Sequence, residues 1–133
     1  MTKTLFVDAH TFDEHHQGIR TFIKGIYEFI DVSPSELQIF LAAYDIENLK
    51  TEFSNQAYFK FIKLKSKNKY RRLAFEIPKI IKDYKFDFAH FNYYLPLFLN
   101  KKCKYIVTIH DVLFIDYPQY FSFKYRLINT FLF

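Results

Sequence analysis

Two side chains that can take part in proton transfer, His110 and Asp111, stand at the end of an apolar run in the stretch KYIVTIHDVLFIDYP. Buried polar groups cost free energy unless they find partners, so their position after a strand-like segment needs a cause. A neutral imidazole can bond a hydroxyl group or relay its proton, and a neighbouring carboxylate can orient the ring. The pair is therefore a candidate for acid–base chemistry. The alternative is a strand-end histidine that bonds only a backbone carbonyl.

Two other apolar runs end on polar side chains in the same way. TLFVDAH ends with Asp8 and His10, and FDFAHFN ends with His90 and Asn92. Each of these side chains could instead cap its strand. Because polar residues recur at three strand ends, the pattern favours one shared site over three separate caps.

The chain as a whole alternates between strand-like and helix-like segments. Strands are predicted at five places: Thr4–His10, Leu37–Tyr44, Tyr58–Leu64, Phe86–Asn92 and Lys104–His110. Helical spacing of apolar residues predicts three helices: Gly18–Ile30, Tyr70–Tyr84 and Gln119–Phe133. Pro78 is expected to kink the second helix or to mark its true start. The alternation predicts an α/β fold, a Rossmann-like parallel sheet with helices on both faces. Such sheets bind ligands outside the carboxyl ends of their strands, where the polar residues described above would lie.

The composition limits the classes of protein. The 133 residues suit one domain or part of a larger one, and the net charge is +5. The single cysteine, Cys103, excludes an internal disulfide and a cysteine-based zinc site. Its lysine-rich surroundings could lower its pKa, or it could be an unreactive thiol. The sequence contains no signal-peptide pattern and no apolar segment long enough to span a bilayer, so we expect a cytoplasmic protein.

The positive charge is concentrated in two segments, Lys60–Arg72 and Asn100–Lys104. These lysines and arginines could be solvated surface residues, or the first segment could dock on the anionic inner face of a membrane. A basic protein can also bind nucleic acid, but no recognisable nucleic-acid-binding module accompanies the charge. We therefore expect no nucleic-acid partner.

Three segments resemble a known family when they are taken together and in order. They are DAHTFDEHHQGIRTFIKGIYEFI, FEIPKIIKDYKFDFAHFNYYLPLF and KYIVTIHDVLFIDYPQYF, which span Asp8 to Phe121. The sequence resembles the N-terminal half of glycosyltransferase family 4, whose members have the GT-B fold. Members often carry two glycines in the first loop, whereas this sequence has only Gly18 there.

The resemblance implies a function for the complete protein. It would transfer a sugar from a nucleotide-sugar donor to a glycan or lipid-linked acceptor, with retention of configuration, in the synthesis of a surface polysaccharide or glycolipid. The nucleotide-sugar would be a substrate, and no metal or other cofactor is expected. The cluster of His10, His15 and His16 could suggest a metal site, but GT-B enzymes need no metal by this resemblance.

The resemblance also implies roles for individual residues. His110 would lie beside the anomeric carbon of the donor, and Asp111 would orient it or accept a proton from the acceptor hydroxyl. Gly18 and Ile19 would place a helix N-terminus towards the donor diphosphate, since free backbone N–H groups and the helix dipole favour anions. The alternative for Gly18 is a turn that needs a positive φ.

Other residues are candidates for phosphate or acceptor contacts. Arg20 and His16 could contact either group or be exposed. His90 and Asn92 could bind the acceptor or act as structural caps, and Tyr93 and Tyr94 could stack on it or pack in the core.

The second, sugar-nucleotide-binding domain of the family and its pair of glutamates have no counterpart in this sequence. We therefore expect residues 1–133 to be a partial N-terminal domain without the C-terminal donor-binding domain, and this chain alone to be inactive. The alternative is a truncated, non-catalytic remnant or a partner-dependent interaction module that self-associates through its apolar last helix.

Overall fold

The computed structural model describes residues 1–13, 17–53, 58–110 and 116–132. Its centre is one sheet of five parallel strands in the order β3-β2-β1-β4-β5. The strands are β1 (Lys3–Asp8), β2 (Leu37–Ala43), β3 (Phe59–Lys63), β4 (Phe88–Asn92) and β5 (Lys104–Thr108). The five predicted strands and the α/β, Rossmann-like class are confirmed.

Helices connect these strands. They are α1 (Gln17–Glu28), α2 (Ile46–Glu52), α3 (Lys69–Arg71), a π-helical turn (Arg72–Glu76), α4 (Ile77–Tyr84) and α5 (Phe123–Leu132), with 3-10 turns at His10–Asp13 and Pro118–Tyr120. The sequence pattern missed α2, because this short helix buries only Leu49 and shows no apolar stripe. Its start is fixed by Asp45, whose carboxylate accepts a hydrogen bond from the Asn48 backbone N–H.

Both faces of the sheet are covered by helices. On one face, Ile23 and Tyr27 of α1 pack in a buried cluster with alternate residues of the central strands, such as Val7. On the other face, Ile77 and Ile81 of α4 pack in a second cluster with the intervening strand residues. The alternation follows from the two-residue period of a strand, which sends successive side chains to opposite faces.

The helical segment around Pro78 departs from regular α geometry. Pro78 has no backbone N–H, and the Ile77 N–H reaches back five residues to the Arg72 carbonyl. The α-helical part begins at Ile77 with Pro78 in its first turn, as expected for a helix start. The π-helical turn directs Arg72 inwards, where only 4% of its surface remains exposed.

Apolar residues remain exposed at the β5 edge of the sheet and on the last helix. Ile106 and Val107 of β5 are 46% and 36% exposed. Phe123 and Leu127 of α5 are also exposed. Within the described ranges, no helix has the length and apolar character needed to cross a bilayer.

Cys103 lies just before β5 and is buried. Burial, and secondarily the nearby Asp87 carboxylate, raises the pKa of its thiol to about 11. The expectation that neighbouring lysines could lower this pKa is therefore wrong, because desolvation of the thiolate outweighs their attraction. Cys103 is an unreactive thiol at neutral pH.

Candidate ligand-binding site

A cavity of about 400 Å³ opens at the carboxyl ends of β1 and β4. The chain connections after β1 and β4 run in opposite directions along the sheet. The chain continues from β1 to β2 on one side, and from β4 to β5 on the other. Open parallel sheets bind ligands at such a switch point. The lining residues come from four segments: Asp8, His10 and Thr11; Gly18 and Ile19; Lys69, Arg72 and Leu73; and Asn92, Tyr93 and Tyr94.

An ionised carboxylate, that of Asp8, lies in the cavity wall. Its Oδ1 accepts hydrogen bonds from His10 Nδ1 at 3.0 Å and from the His10 backbone N–H at 3.3 Å. Its Oδ2 lies 3.8 Å from Arg72 Nε. Burial alone would raise the pKa of Asp8, but His10 and then Arg72 outweigh it and hold the pKa below its ordinary value. The side chain can therefore accept hydrogen bonds from ligand hydroxyl groups at neutral pH.

Three buried polar atoms have no hydrogen-bond partner among the described residues, and all three belong to residues that line this cavity. They are Thr11 Oγ1, Arg72 Nε and Asn92 Nδ2. The three residues are 2%, 4% and 4% exposed. Most buried polar atoms in native proteins have partners, and each one without a partner costs about 1–3 kcal/mol. All three belong to residues of one cavity wall, as expected for a site that a polar ligand completes.

The side chain of Asn92 is oriented by His110. His110 Nε2 donates to Asn92 Oδ1 at 2.9 Å. The His110 ring is also held by the edge of Phe22, 4.6 Å between centroids, and by Tyr93 at 5.4 Å. His110 is not among the cavity-lining residues, so its contact with the cavity runs through Asn92.

His90 forms a buried bridge between α1, β4 and β5. Tyr27 Oη and His90 Nδ1 share a hydrogen bond of 2.5 Å, and His90 Nε2 shares one of 2.8 Å with Thr108 Oγ1. Burial, with a smaller contribution from His110, lowers the pKa of His90. Burial also raises the pKa of Tyr27. A neutral His90 thus joins the elements that carry Asn92 and His110, and it does not line the cavity.

The first turn of α1 reaches the cavity through Gly18 and Ile19. Backbone N–H groups in a first helical turn have no intrahelical acceptor, and the helix dipole adds partial positive charge there. The φ of Gly18 is not positive, so the alternative of a turn that needs glycine is wrong. A Cβ at Gly18 would meet no atom within 4 Å.

Arg20 is directed away from the cavity. Its guanidinium pairs with Glu52 at 3.3 Å and lies 5.2 Å from the centre of the Phe12 ring. Two further candidates from the sequence, His16 and Asp111, lie outside the described residues, as does His15. In the part of the chain that the structure describes, no group of three or more His, Cys, Asp or Glu side chains could hold a metal ion.

The turn after β4 has a strained backbone. Tyr93 has φ 67°, in the left-handed region, and the Tyr94 N–H bonds the Asn92 carbonyl across it at 2.9 Å. Such tight three-residue turns with a positive φ are rare, and residues held this way cost about 1–3 kcal/mol. The strain lies beside the cavity and directs two tyrosines into its wall.

The sequence pattern did not identify Thr11, Lys69 or Arg72 as site residues. Lys69 and Arg72 lie in the basic segment Lys60–Arg72, for which the sequence suggests either solvated surface residues or docking on an anionic membrane. Pro78, six residues after Arg72, is the sequence feature that could have identified Arg72 as a site residue. The helix accommodates Pro78 through a π-helical turn, and this turn rotates the residues before it.

No protein-family model, curated protein or solved structure matches this chain. The resemblance to glycosyltransferase family 4 therefore remains an expectation. The function has to be argued from the cavity.

Proposed function

We propose that this chain forms the acceptor-side part of a glycosyltransferase that uses a nucleotide-sugar donor, and that donor and acceptor meet in the cavity at the ends of β1 and β4. The observation that carries the proposal is that three residues of the cavity wall, Thr11, Arg72 and Asn92, each have a buried polar atom without a hydrogen-bond partner among the described residues. The resemblance described above supplies the reaction class.

The donor diphosphate would bind at the first turn of α1. Gly18 and Ile19 bring this turn to the cavity, and the turn carries no acidic residue. Backbone N–H groups and the helix dipole are a common arrangement for binding phosphate. Gly18 carries no Cβ, which leaves the N–H groups accessible to the phosphate.

The sugar hydroxyl groups would pair with Asp8 and Asn92. A carboxylate accepts hydrogen bonds from hydroxyl groups, and the Asn92 amide N–H donates one. His110 keeps the amide in the orientation in which Nδ2 has no partner within the described part of the chain. Because His110 Nε2 donates to Asn92, Nδ1 is the ring atom that would accept a proton if His110 also relays the acceptor proton.

The proposal is tested by calorimetric binding of uridine, guanosine and adenosine diphosphate sugars to the chain. The informative variant is Gly18→Asp, because its carboxylate would repel a phosphate while an acidic side chain at a helix N-terminus favours the fold. We expect at least one sugar nucleotide to bind through its diphosphate even without the donor-binding domain, and Gly18→Asp to weaken it by about tenfold or more.

Two controls separate charge at the site from other effects of the substitution. Gly18→Ala adds a Cβ without charge, and Gly25→Asp adds the same charge at a glycine where a Cβ also meets no atom within 4 Å. Both should retain the wild-type affinity within about twofold. The proposal is overturned if none of the three classes binds, or if Gly18→Asp and Gly25→Asp behave alike.

A non-catalytic interaction module is the second candidate. The exposed apolar side chains of β5 and α5 favour it, since Ile106, Val107, Phe123 and Leu127 would be covered in an association. This candidate predicts oligomers whose size depends on concentration, together with no measurable affinity for sugar nucleotides. Sedimentation velocity over a concentration series checks it, and a single monomeric species would argue against it.

A further inference from the structure

Lys69 and Arg72 enter the cavity from the face of the sheet opposite to α1. They belong to the helical segment that continues into α4, which packs on the face of Phe6 and Phe91. The first turn of α1 approaches from the other face, on which Ile23 packs. The cavity therefore has two separate walls that can attract negative charge.

The guanidinium of Arg72 is buried without a complete set of partners. Its Nη1 donates to the Lys67 carbonyl at 3.4 Å, and its Nε has no hydrogen-bond partner among the described residues. Asp8 Oδ2, at 3.8 Å, is too distant for a hydrogen bond, and Asp8 Oδ1 is engaged by His10. A buried guanidinium requires paired anions and hydrogen bonds, so an acceptor atom is missing at Nε.

Lys69 adds a second cation on the same wall. Its Nζ lies 3.1 Å from the centre of the Tyr94 ring, and no carboxylate of the described residues forms an ion pair with it. Burial, and then the charge of Arg72, lowers the pKa of Lys69. A bound anion would offset both effects, because it would pair with the ammonium and the guanidinium together.

We infer that Lys69 and Arg72 form a subsite for an oxyanion, a phosphate or a carboxylate, that the acceptor carries. The inference rests on the proposed function, because it takes the donor diphosphate to bind at the first turn of α1. It narrows the acceptor to an anionic molecule: a phosphate-bearing lipid-linked glycan or a glycan with a uronic acid. Charge-assisted hydrogen bonds from the guanidinium fix the orientation of the oxyanion, and the lysine supplies a point charge.

The test is a titration of the chain with inorganic phosphate, glucuronate and, as a neutral control, glucose, followed by amide chemical shifts. We expect phosphate or glucuronate to bind, and Lys69→Gln to weaken that oxyanion by about tenfold or more. Lys69→Arg should restore most of the affinity. Binding of phosphate but not glucuronate that depends on Lys69 indicates a phosphate-bearing acceptor, and binding of glucuronate that depends on Lys69 indicates a carboxylate.

The matched control is Lys67→Gln. Lys67 Nζ also lies over an aromatic ring, 4.8 Å from the centre of Tyr44, but Lys67 does not line the cavity. The substitution leaves its backbone carbonyl in place for Arg72. Lys67→Gln should bind the oxyanion within about twofold of the wild type.

Two results would overturn the inference. One is that neither oxyanion binds, and the other is that Lys69→Gln and Lys67→Gln bind them equally well. If Lys69→Gln weakens only a sugar nucleotide, the subsite belongs to the donor, and the proposed function survives without this inference. If sugar nucleotides do not bind but an oxyanion does so through Lys69, the oxyanion subsite stands and the proposed function falls.

Discussion

Asn92 and His110, at the ends of neighbouring parallel strands, share one hydrogen bond that orients the amide of a cavity-lining residue. His110 Nε2 donates to Asn92 Oδ1 at 2.9 Å, while Asn92 Nδ2 has no partner among the described residues. His110, the catalytic candidate from the sequence, therefore acts on the cavity through Asn92. Asn92 is the residue that would touch the ligand.

Asn92→Asp tests the amide donor. The substitution keeps an oxygen for His110, so we expect the fold to survive, but it replaces the N–H donor by a second carboxylate near Asp8. Affinity for the sugar nucleotide should fall by about tenfold or more. Calorimetry measures it, with Asn100→Asp as the control, because Asn100 Oδ1 also accepts a hydrogen bond, from the Lys102 N–H, and Asn100 lies outside the cavity. Equal affinities of the two variants would contradict the role of Asn92.

Thr11→Val tests whether the cavity holds unsatisfied polar atoms in the empty protein. Thr11 Oγ1 is buried and has no partner among the described residues, so a methyl group in its place should raise the free energy of unfolding by about 1 kcal/mol. The same change should weaken ligand binding. Urea denaturation measures the first effect and calorimetry the second.

Thr108→Val is the matched control for Thr11→Val. Thr108 Oγ1 shares a hydrogen bond with His90 Nε2, so loss of the hydroxyl leaves a ring nitrogen of the buried His90 unpaired. The free energy of unfolding should fall by about 1 kcal/mol or more. If Thr11→Val also destabilises the protein, the Thr11 hydroxyl is satisfied and the cavity loses one of its three unpartnered atoms.

His90 should make stability depend on pH. Its pKa is lowered from 6.5 in the folded chain, first by burial and then by His110. Below pH 6.5, His90 takes up a proton in the unfolded chain, whereas in the folded chain it does so only at a lower pH. The contribution of His90 to the free energy of unfolding is therefore fully present above pH 6.5. It is lost as the pH falls from 6.5 towards the lowered pKa, with a slope of at most about 1.4 kcal/mol per pH unit.

Urea denaturation of the wild type and of His90→Gln, at about pH 7.5 and about pH 5.5, measures this dependence. Glutamine does not titrate, so the variant should lose less stability between the two pH values than the wild type. The other histidines are common to both proteins and cancel in the comparison. Equal losses would mean that His90 titrates as it does in the unfolded chain.

The sequence predicted the sheet well because its strands leave simple signals. The central strands β1, β2 and β4 are mostly buried apolar runs, whereas β3 alternates apolar residues with lysines, and neither pattern requires tertiary information to recognise. The same logic predicted that Asp8, His10 and Asn92 would lie at one edge of the sheet, and all three line the cavity.

The parts that the sequence did not predict depend on tertiary structure. Arg72 becomes a site residue through the π-helical turn before Pro78, and a regular helical period would have assigned it to the surface. Arg20 is drawn out of the site by Glu52 of α2, a helix that was not predicted. Asn92, and not His110, lines the cavity, because His110 is held behind it by a hydrogen bond to the Asn92 side chain. Strand order alone does not specify this bond.

The central claim is that the cavity at the ends of β1 and β4 binds the sugar nucleotide. The most direct measurement is an amide-detected NMR titration that follows the Asn92 side-chain NH₂ signal, with those of Asn48 and Asn100 as internal controls. We predict that a binding sugar nucleotide shifts the Asn92 NH₂ signal and the Gly18 and Ile19 amides, and leaves Asn48 and Asn100 unchanged. Unchanged Asn92, Gly18 and Ile19 signals, or shifts confined to Ile106 and Val107 of β5, would contradict the account.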